Sequence, residues 1–119
     1  MIKKYRVRKN EEFSKIISKR NSLASSAFVL YFDKCKEDYS RVGISVSKKL
    51  GNAVTRNKIK RQIRMMLANM YDFDGTGLDL IIIAKKKYLE NDFIINQNDL
   101  EKLIKKAIMG KNGQGDFLK

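Results

Sequence analysis

The residues of this chain that could do chemistry are mostly cations. Between Ser45 and Arg64, seven of twenty residues are Lys or Arg (Lys48, Lys49, Arg56, Lys58, Lys60, Arg61 and Arg64) and none is acidic, so no ion pair inside the segment neutralises them. Guanidinium forks and ammonium point charges suit phosphate oxygens, and the amide of Asn57 among them can address a base edge or a ribose hydroxyl. Recognition of a polyanion is the chemistry on offer. Hydrolysis is poorly provided for: the chain has no histidine, which removes the commonest general base and the commonest metal ligand. Its single cysteine, Cys35, excludes an internal disulfide and a zinc site built on several thiolates. Without an imidazole partner it reads as an ordinary strand or loop residue. The acids Asp33, Glu37, Asp72, Asp79, Glu90 and Asp99 are scattered and make no obvious cluster for two metals.

Charge over the whole chain points the same way. There are 26 Lys and Arg against 13 Asp and Glu, a net +13 on 119 residues, which suggests nucleic acid or, less well, an anionic membrane surface. The bland reading of any charge run is a solvated face. Here the run is dense, of one sign and backed by the charge of the whole protein. Hydrophobic residues make up 43%, enough for the core of one compact domain and too many for a disordered tail. Met1 to Arg6 has no apolar stretch of the secretory type, and the longest apolar run, Leu80 to Ala84, is far too short for a spanning helix. A cytoplasmic protein is expected.

The elements that must position these cations follow from pattern. Asn10 is a good N-cap, with Glu11 and Glu12 suited to the positive end of a helix on which Phe13, Ile16 and Ile17 share a face, before Lys19 and Arg20 at its end. Ala27 to Phe32 is rich in strand formers, and Arg41 to Ser47 alternates with Val42, Ile44 and Val46 on one side. The turn between them carries Lys34, Lys36, Glu37 and Asp38, and the pair is predicted to be a hairpin. A long helix follows from Ala53 to Met70, then a break at Asp72 to Gly77 and a strand at Leu80 to Ala84 that is apolar on both faces. A last helix is signalled at Asn98, with Glu101 as a variant capping box and Leu100, Leu103, Ile104, Ala107 and Ile108 as its apolar face. The order predicts a small α/β or α+β two-layer sandwich, three helices on a sheet of about four strands, of which pattern places three. Residues 1–109 form the single expected domain, and the glycine-rich residues 110–119 a flexible tail.

On the middle helix, at about 100° per residue, Asn57, Lys60, Arg61 and Arg64 cluster on one face, and Ile59, Ile63, Met66 and Met70 lie roughly 140° away. One face can dock on the sheet while the other presents cations. Lys48 and Lys49 sit just before the helix N-terminus, where free backbone N–H groups also favour phosphate.

The string from Val42 to Arg61, with its Gly51-Asn52-Ala53-Val54 turn and its Arg56-Asn57-Lys58 motif, resembles the signature of the bacterial ribonuclease P protein family. Lys9 to Phe13 and Phe28 to Tyr31 also resemble that family in order and spacing, so the likeness spans roughly residues 3 to 108. It implies an α/β sandwich with a left-handed βαβ crossover around the basic helix, against the usual right-handed rule. It also implies a protein without catalytic residues or a metal site of its own. In the family the RNA subunit holds the Mg²⁺ ions and performs hydrolysis. The protein binds that ribonuclease P RNA and grips the 5′ leader of precursor tRNA, with no membrane and no obligate protein partner. Carried over residue by residue, the RNA-binding set is Lys48, Lys49, Asn52, Arg56, Asn57, Lys58, Lys60, Arg61 and Arg64. The leader cleft, between the first helix and the sheet, takes Phe13, Ile17, Val29 and Tyr31. Strand alternation independently puts Val29 and Tyr31 on one face, and aromatics beside cations make a platform for single-stranded bases. Taken alone, each aromatic reads better as core. The family often has Arg where this chain has Lys58, and a second aromatic where it has Ile17. The first loses a bidentate fork and the second a stacking partner.

Three other readings compete. A ribosomal-type RNA-binding module would bind RNA without affecting precursor processing. A stand-alone nuclease would need the clustered acids this chain lacks. Membrane-surface binding would need exposed bulky apolar residues on the basic helix, whereas that apolar stripe is required for the core.

Overall fold

The structure, a computed structural model, describes residues 3–7, 9–34 and 39–113. The chain runs α1 (Asn10–Ser18), β1 (Ser22–Ala24), β2 (Phe28–Lys34), β3 (Arg41–Val46), α2 (Ala53–Met70), the one-turn α3 (Phe73–Thr76), β4 (Leu78–Ala84) and α4 (Phe93–Gly113). Short 3-10 turns occupy Lys3–Tyr5, Lys48–Leu50 and Lys86–Glu90. The strands form a mixed sheet in the order β1-β2-β4-β3. β2 runs antiparallel to β4, from Phe28 opposite Ala84 to Lys34 opposite Leu78, and β3 runs parallel to β4, from Arg41 opposite Asp79 to Val46 opposite Ala84. β3, α2 and β4 therefore make a βαβ crossover, and the α+β sandwich read from pattern is what forms.

The expected hairpin of β2 and β3 does not form, because β4 lies between them. Leu78, Leu80, Ile81, Ile82 and Ala84 are all buried. A strand apolar on both sides gains most from the centre of a sheet, where helices cover both faces, so it outcompetes local pairing of its neighbours. The turn residues 35–38, Cys35 among them, lie outside the described residues. The strand that pattern missed is β1, three residues paired to β2 with Leu23 opposite Leu30, too short to show alternation. Two helix starts also differ. Asn10 is the first helical residue of α1, after an N-cap at Lys9 that makes no side-chain cap bond. α4 starts at Phe93, not Asn98, because Asp92 Oδ1 accepts the Ile95 N–H at 3.0 Å and caps the helix a turn earlier. α4 continues to Gly113, past the domain end expected at 109, and residues 114–119 lie outside the described residues.

Alternation along the strands splits the sheet into two faces. Phe28, Leu30, Val42, Val46, Leu80, Ile82 and Ala84 face Ile59, Ile63, Met66 and Leu67 of α2 and Leu100, Leu103, Ile104 and Ala107 of α4 in the main core. On the other face α1 packs Ile16 with Ile81 and Val7, with Phe13, Ile17, Tyr31 and Ile83 partly buried around them. An ion-pair bridge ties α1 to that face. Arg41 of β3 grips its register neighbour Asp79 of β4 at 3.1 and 3.0 Å and reaches Glu12 of α1 at 2.7 Å. Among the described residues no helix is long and apolar enough to cross a membrane.

Candidate nucleic-acid interface

The basic segment is held by a short run of local bonds. The Ser47 hydroxyl accepts the Lys49 N–H at 3.1 Å, and buried Leu50 anchors the 3-10 turn, which leaves Lys48 and Lys49 exposed. Gly51 then adopts a φ of 142°, in the region that favours glycine, and a Cβ there would meet Thr55 at 3.0 Å. Asn52 caps α2, its side-chain oxygen accepting the Thr55 N–H at 2.9 Å. With the start of α2 so fixed, Ile59, Ile63, Met66 and Leu67 turn to the core, while Asn57, Lys58 and Arg61 are exposed. Arg56 is half-buried and folds back, its Nε donating to the Gly51 carbonyl at 3.2 Å. Among the described residues no ion pair joins any of the seven cations to a carboxylate. Their field is left for an external anion.

Lys60 and Arg64 behave differently from Arg61. Both are half-buried and both line hollows along the outer edge of β3, where α1 covers one side of the strand and α2 the other. One hollow, of about 370 Å³, is lined by Asn10, Phe13, Ser14, Ile44, Ser45, Val46 and Lys60. The second, of about 240 Å³, is lined by Arg6, Val7, Phe13, Val42, Gly43, Ile44 and Arg64. Phe13 belongs to both. Its ring lies so close over Gly43 that a Cβ there would come within 2.5 Å of the ring edge and 2.9 Å of Ile81 Cδ1. The groove needs glycine at that place. Arg64 is pushed below its ordinary range, first by burial and then by the neighbouring Arg6 guanidinium.

The four cleft residues expected from sequence do not all meet there. Phe13 forms the wall of the groove. Tyr31 of β2 lies in the same cross-sheet row as Gly43, with Ile81 between them, and Val29 lies one row on, with Ile83 and Ser45. Val29 and Tyr31 are half-buried and rise two strands away from the β3 hollows. Ile17 and Tyr31 pack against the small core under α1. Sequence reasoning missed Arg6, Ser14 and Ser45. Arg6 reaches the groove because its arm bridges to Val42, with the Val7 N–H donating to the Val42 carbonyl at 3.0 Å. That pairing is long-range and leaves no periodic trace. No group of three or more Cys, Asp or Glu that could hold a metal ion occurs among the described residues.

Comparison with known proteins bears on this arrangement. The family model described as Ribonuclease P matches residues 1–108. The ribonuclease P protein component of Mesoplasma florum is 50% identical over 99 residues, covering 82% of this chain and 90% of that protein. Among solved structures, the Staphylococcus aureus RNase P protein superposes with a TM-score of 0.76 at 42% identity, covering 87% of this chain and 94% of the other. The Thermotoga maritima RNase P protein gives 0.74 at 32% identity, covering 85% and 96%.

Proposed function

This chain belongs to the ribonuclease P protein family, which makes it a tRNA-processing subunit that works with ribonuclease P RNA, and from that premise we propose that it binds the catalytic RNA and the 5′ leader of precursor tRNA in the cytoplasm and promotes endonucleolytic removal of the leader. One observation carries the reading: an unneutralised cationic surface runs from Lys48 and Lys49 along α2 and ends at a groove walled by Phe13. The exposed Lys48, Lys49, Asn57, Lys58 and Arg61, with Arg56 beside them, address the phosphates of the catalytic RNA. Asn52 holds the start of their helix. The groove under α1, with Phe13 at the β3 edge and Tyr31, Val29 and Ile17 toward β2, takes the unpaired leader, whose bases stack without being read.

The described residues of this chain offer no ligand set for a magnesium ion. The described acids form no cluster, and Glu12 and Asp79, on the groove side of the sheet, are held by Arg41. In this reading the Mg²⁺ ions are held mainly by the RNA. The protein contributes charge, position and a grip on the leader.

The test is a reconstitution with precursor tRNA, a bacterial ribonuclease P RNA and low Mg²⁺. Cleavage at the mature 5′ end is expected with RNA and protein together and not with protein alone. RNA binding with unchanged cleavage would replace the reading with a ribosomal-type module, and turnover by protein alone would replace it with a nuclease.

A further inference from the structure

The corner where the N-terminal arm meets the connection from α2 to β4 holds a group of aromatic rings that the basic face does not use. Tyr5 closes the 3-10 turn Lys3–Tyr5, next to Arg6 and Val7. Its ring stacks on Phe73 of α3, with centroids 4.7 Å apart at 27°, and stands edge-on to Tyr39 at 5.9 Å. Its hydroxyl donates to Asp74 Oδ1 at 2.8 Å. Lys4 Nζ lies 4.7 Å from the centre of the Tyr39 ring and 3.9 Å from the same carboxylate oxygen. The receiving side is locked without help from the arm. Asp72 Oδ1 accepts the Asp74 and Gly75 N–H groups at 3.1 Å and so caps α3. The Phe73 carbonyl accepts the Ser40 N–H at 2.6 Å, and the buried Ser40 hydroxyl meets the Tyr71 hydroxyl and accepts the Leu78 N–H at 3.0 Å. The arm itself is thinly held elsewhere. Val7 N–H donates to the Val42 carbonyl at 3.0 Å, and the Val7 side chain enters the small core. Terminal segments fray unless tied down, and one such bond with one buried valine does not offset the ordering of residues 3–7. Tyr5 supplies the missing tie.

We propose that Tyr5 is a positioning residue for leader binding: it latches the N-terminal arm onto α3 and thereby holds the arm as one wall of the groove beside Phe13. The route runs through Val7. Val7 lines the smaller hollow together with Phe13 and packs in the small core that Phe13 leans on. With the latch closed, the arm shuts that side of the groove and props the ring. With the latch open, Val7 leaves the core and the hollow loses a wall. Tyr5 touches no RNA in this scheme and acts only through the arm. The consequence for the leader rests on the reading above that the groove takes the leader, whereas the latch rests on the geometry alone.

Two measurements on the full chain test this. The first is hydrogen exchange of the Val7 amide in the protein without RNA. In the wild type it should exchange about a hundredfold or more slower than an unprotected amide, and in Tyr5→Ala within about tenfold of one. The second is binding of precursor and mature tRNA by the reconstituted particle. Tyr5→Ala should weaken precursor binding about fivefold to tenfold relative to mature tRNA, because the closed arm is then a minor state. Tyr5→Phe keeps the stack on Phe73 and loses the bond to Asp74, so its precursor affinity should stay within about twofold of wild type. Tyr71→Phe is the structural control: it breaks the bond to Ser40 in the same corner without touching the arm, and should leave both the Val7 amide and the preference for precursor unchanged. Neither buried cluster includes Tyr5, and if Tyr5→Ala fails to fold, Tyr5→Leu decides. A Val7 amide that stays protected in Tyr5→Ala overturns the latch. A released arm with an unchanged preference for precursor overturns the positioning role, as does an equal loss for both tRNAs or the same loss in Tyr71→Phe. A wild-type particle that binds both tRNAs alike overturns the leader reading and the role built on it, and the amide exchange, which involves no RNA, still decides whether Tyr5 closes the arm.

Discussion

The two faces of the sheet are built on different physics. Among the described residues, 19 buried residues form the main core under α2 and α4, while the buried apolar cluster under α1 has three, Val7, Ile16 and Ile81. The first face supplies most of the apolar burial that holds the fold together. The second is closed by a single nine-residue helix and a bridge of charge, Glu12–Arg41–Asp79. A thin, partly open face leaves surface for a ligand, at the cost of leaning on an ion pair for its geometry. α2 belongs to both regimes. Its apolar stripe completes the thick core, and its cations reach around the edge strand β3 to the thin side. The lesson is a division of labour within one sheet, in which stability and recognition lie on opposite faces and share one helix.

Truncations that compare the faces should give the largest effect. Ile63 is fully buried in the main core, and Ile63→Ala should destabilise by about 3–4 kcal/mol. Ile17, half-buried on the thin side, should lose only about 1 kcal/mol on the same change. Urea unfolding measures both, and equal losses would erase the distinction. The bridge comes next. Arg41→Met strands Asp79, which is nearly buried, and should cost about 2–3 kcal/mol, less than a fully buried pair because Arg41 and Glu12 keep some solvent. Adding Asp79→Leu should restore much of the loss, since the uncompensated charge goes with it. If the double variant is no better than the single, packing of the arginine stem holds α1, and charge does not.

What could be read in advance divides along the same line. The helix from Ala53 to Met70 was legible to the residue because cap, turn glycine and apolar stripe all agree there. The strand at Leu80 to Ala84 was legible as doubly buried, but its place between β2 and β3 was not, since pattern says how buried a strand is and not which strands flank it. The start of α4 was misplaced because Asn98 and Glu101 imitate a cap that Asp92 already supplies. The cations of α2 read from the sequence as one set, yet their split between an open face and a groove depends on Arg6, brought in by the arm's pairing with Val42. Periodicity carries no information on such contacts. Tyr31, Val29 and Ile17 were grouped with Phe13 through family likeness, and the fold places the four on two elements of one face, Phe13 and Ile17 on α1 and Val29 and Tyr31 on β2.

Tyr31 offers the smallest effect and the sharpest division between packing and recognition on the thin face. Its ring packs against the small cluster under α1 without being fully buried, so it can stack on a base with only part of its area. Aromatic stacking contributes about 1–3 kcal/mol per base, and a half-covered ring belongs at the low end. Tyr31→Ala should therefore weaken precursor tRNA binding by the reconstituted particle about fivefold relative to mature tRNA, with Tyr31→Phe close to wild type because the ring and not the hydroxyl stacks. Binding measured side by side for the two tRNAs separates the causes. A loss confined to the precursor ties Tyr31 to the leader, because the leader is the only part the mature tRNA lacks. An equal loss for both would make Tyr31 a prop of the small core and narrow the leader groove to the β3 edge, where Phe13 stands between the two hollows.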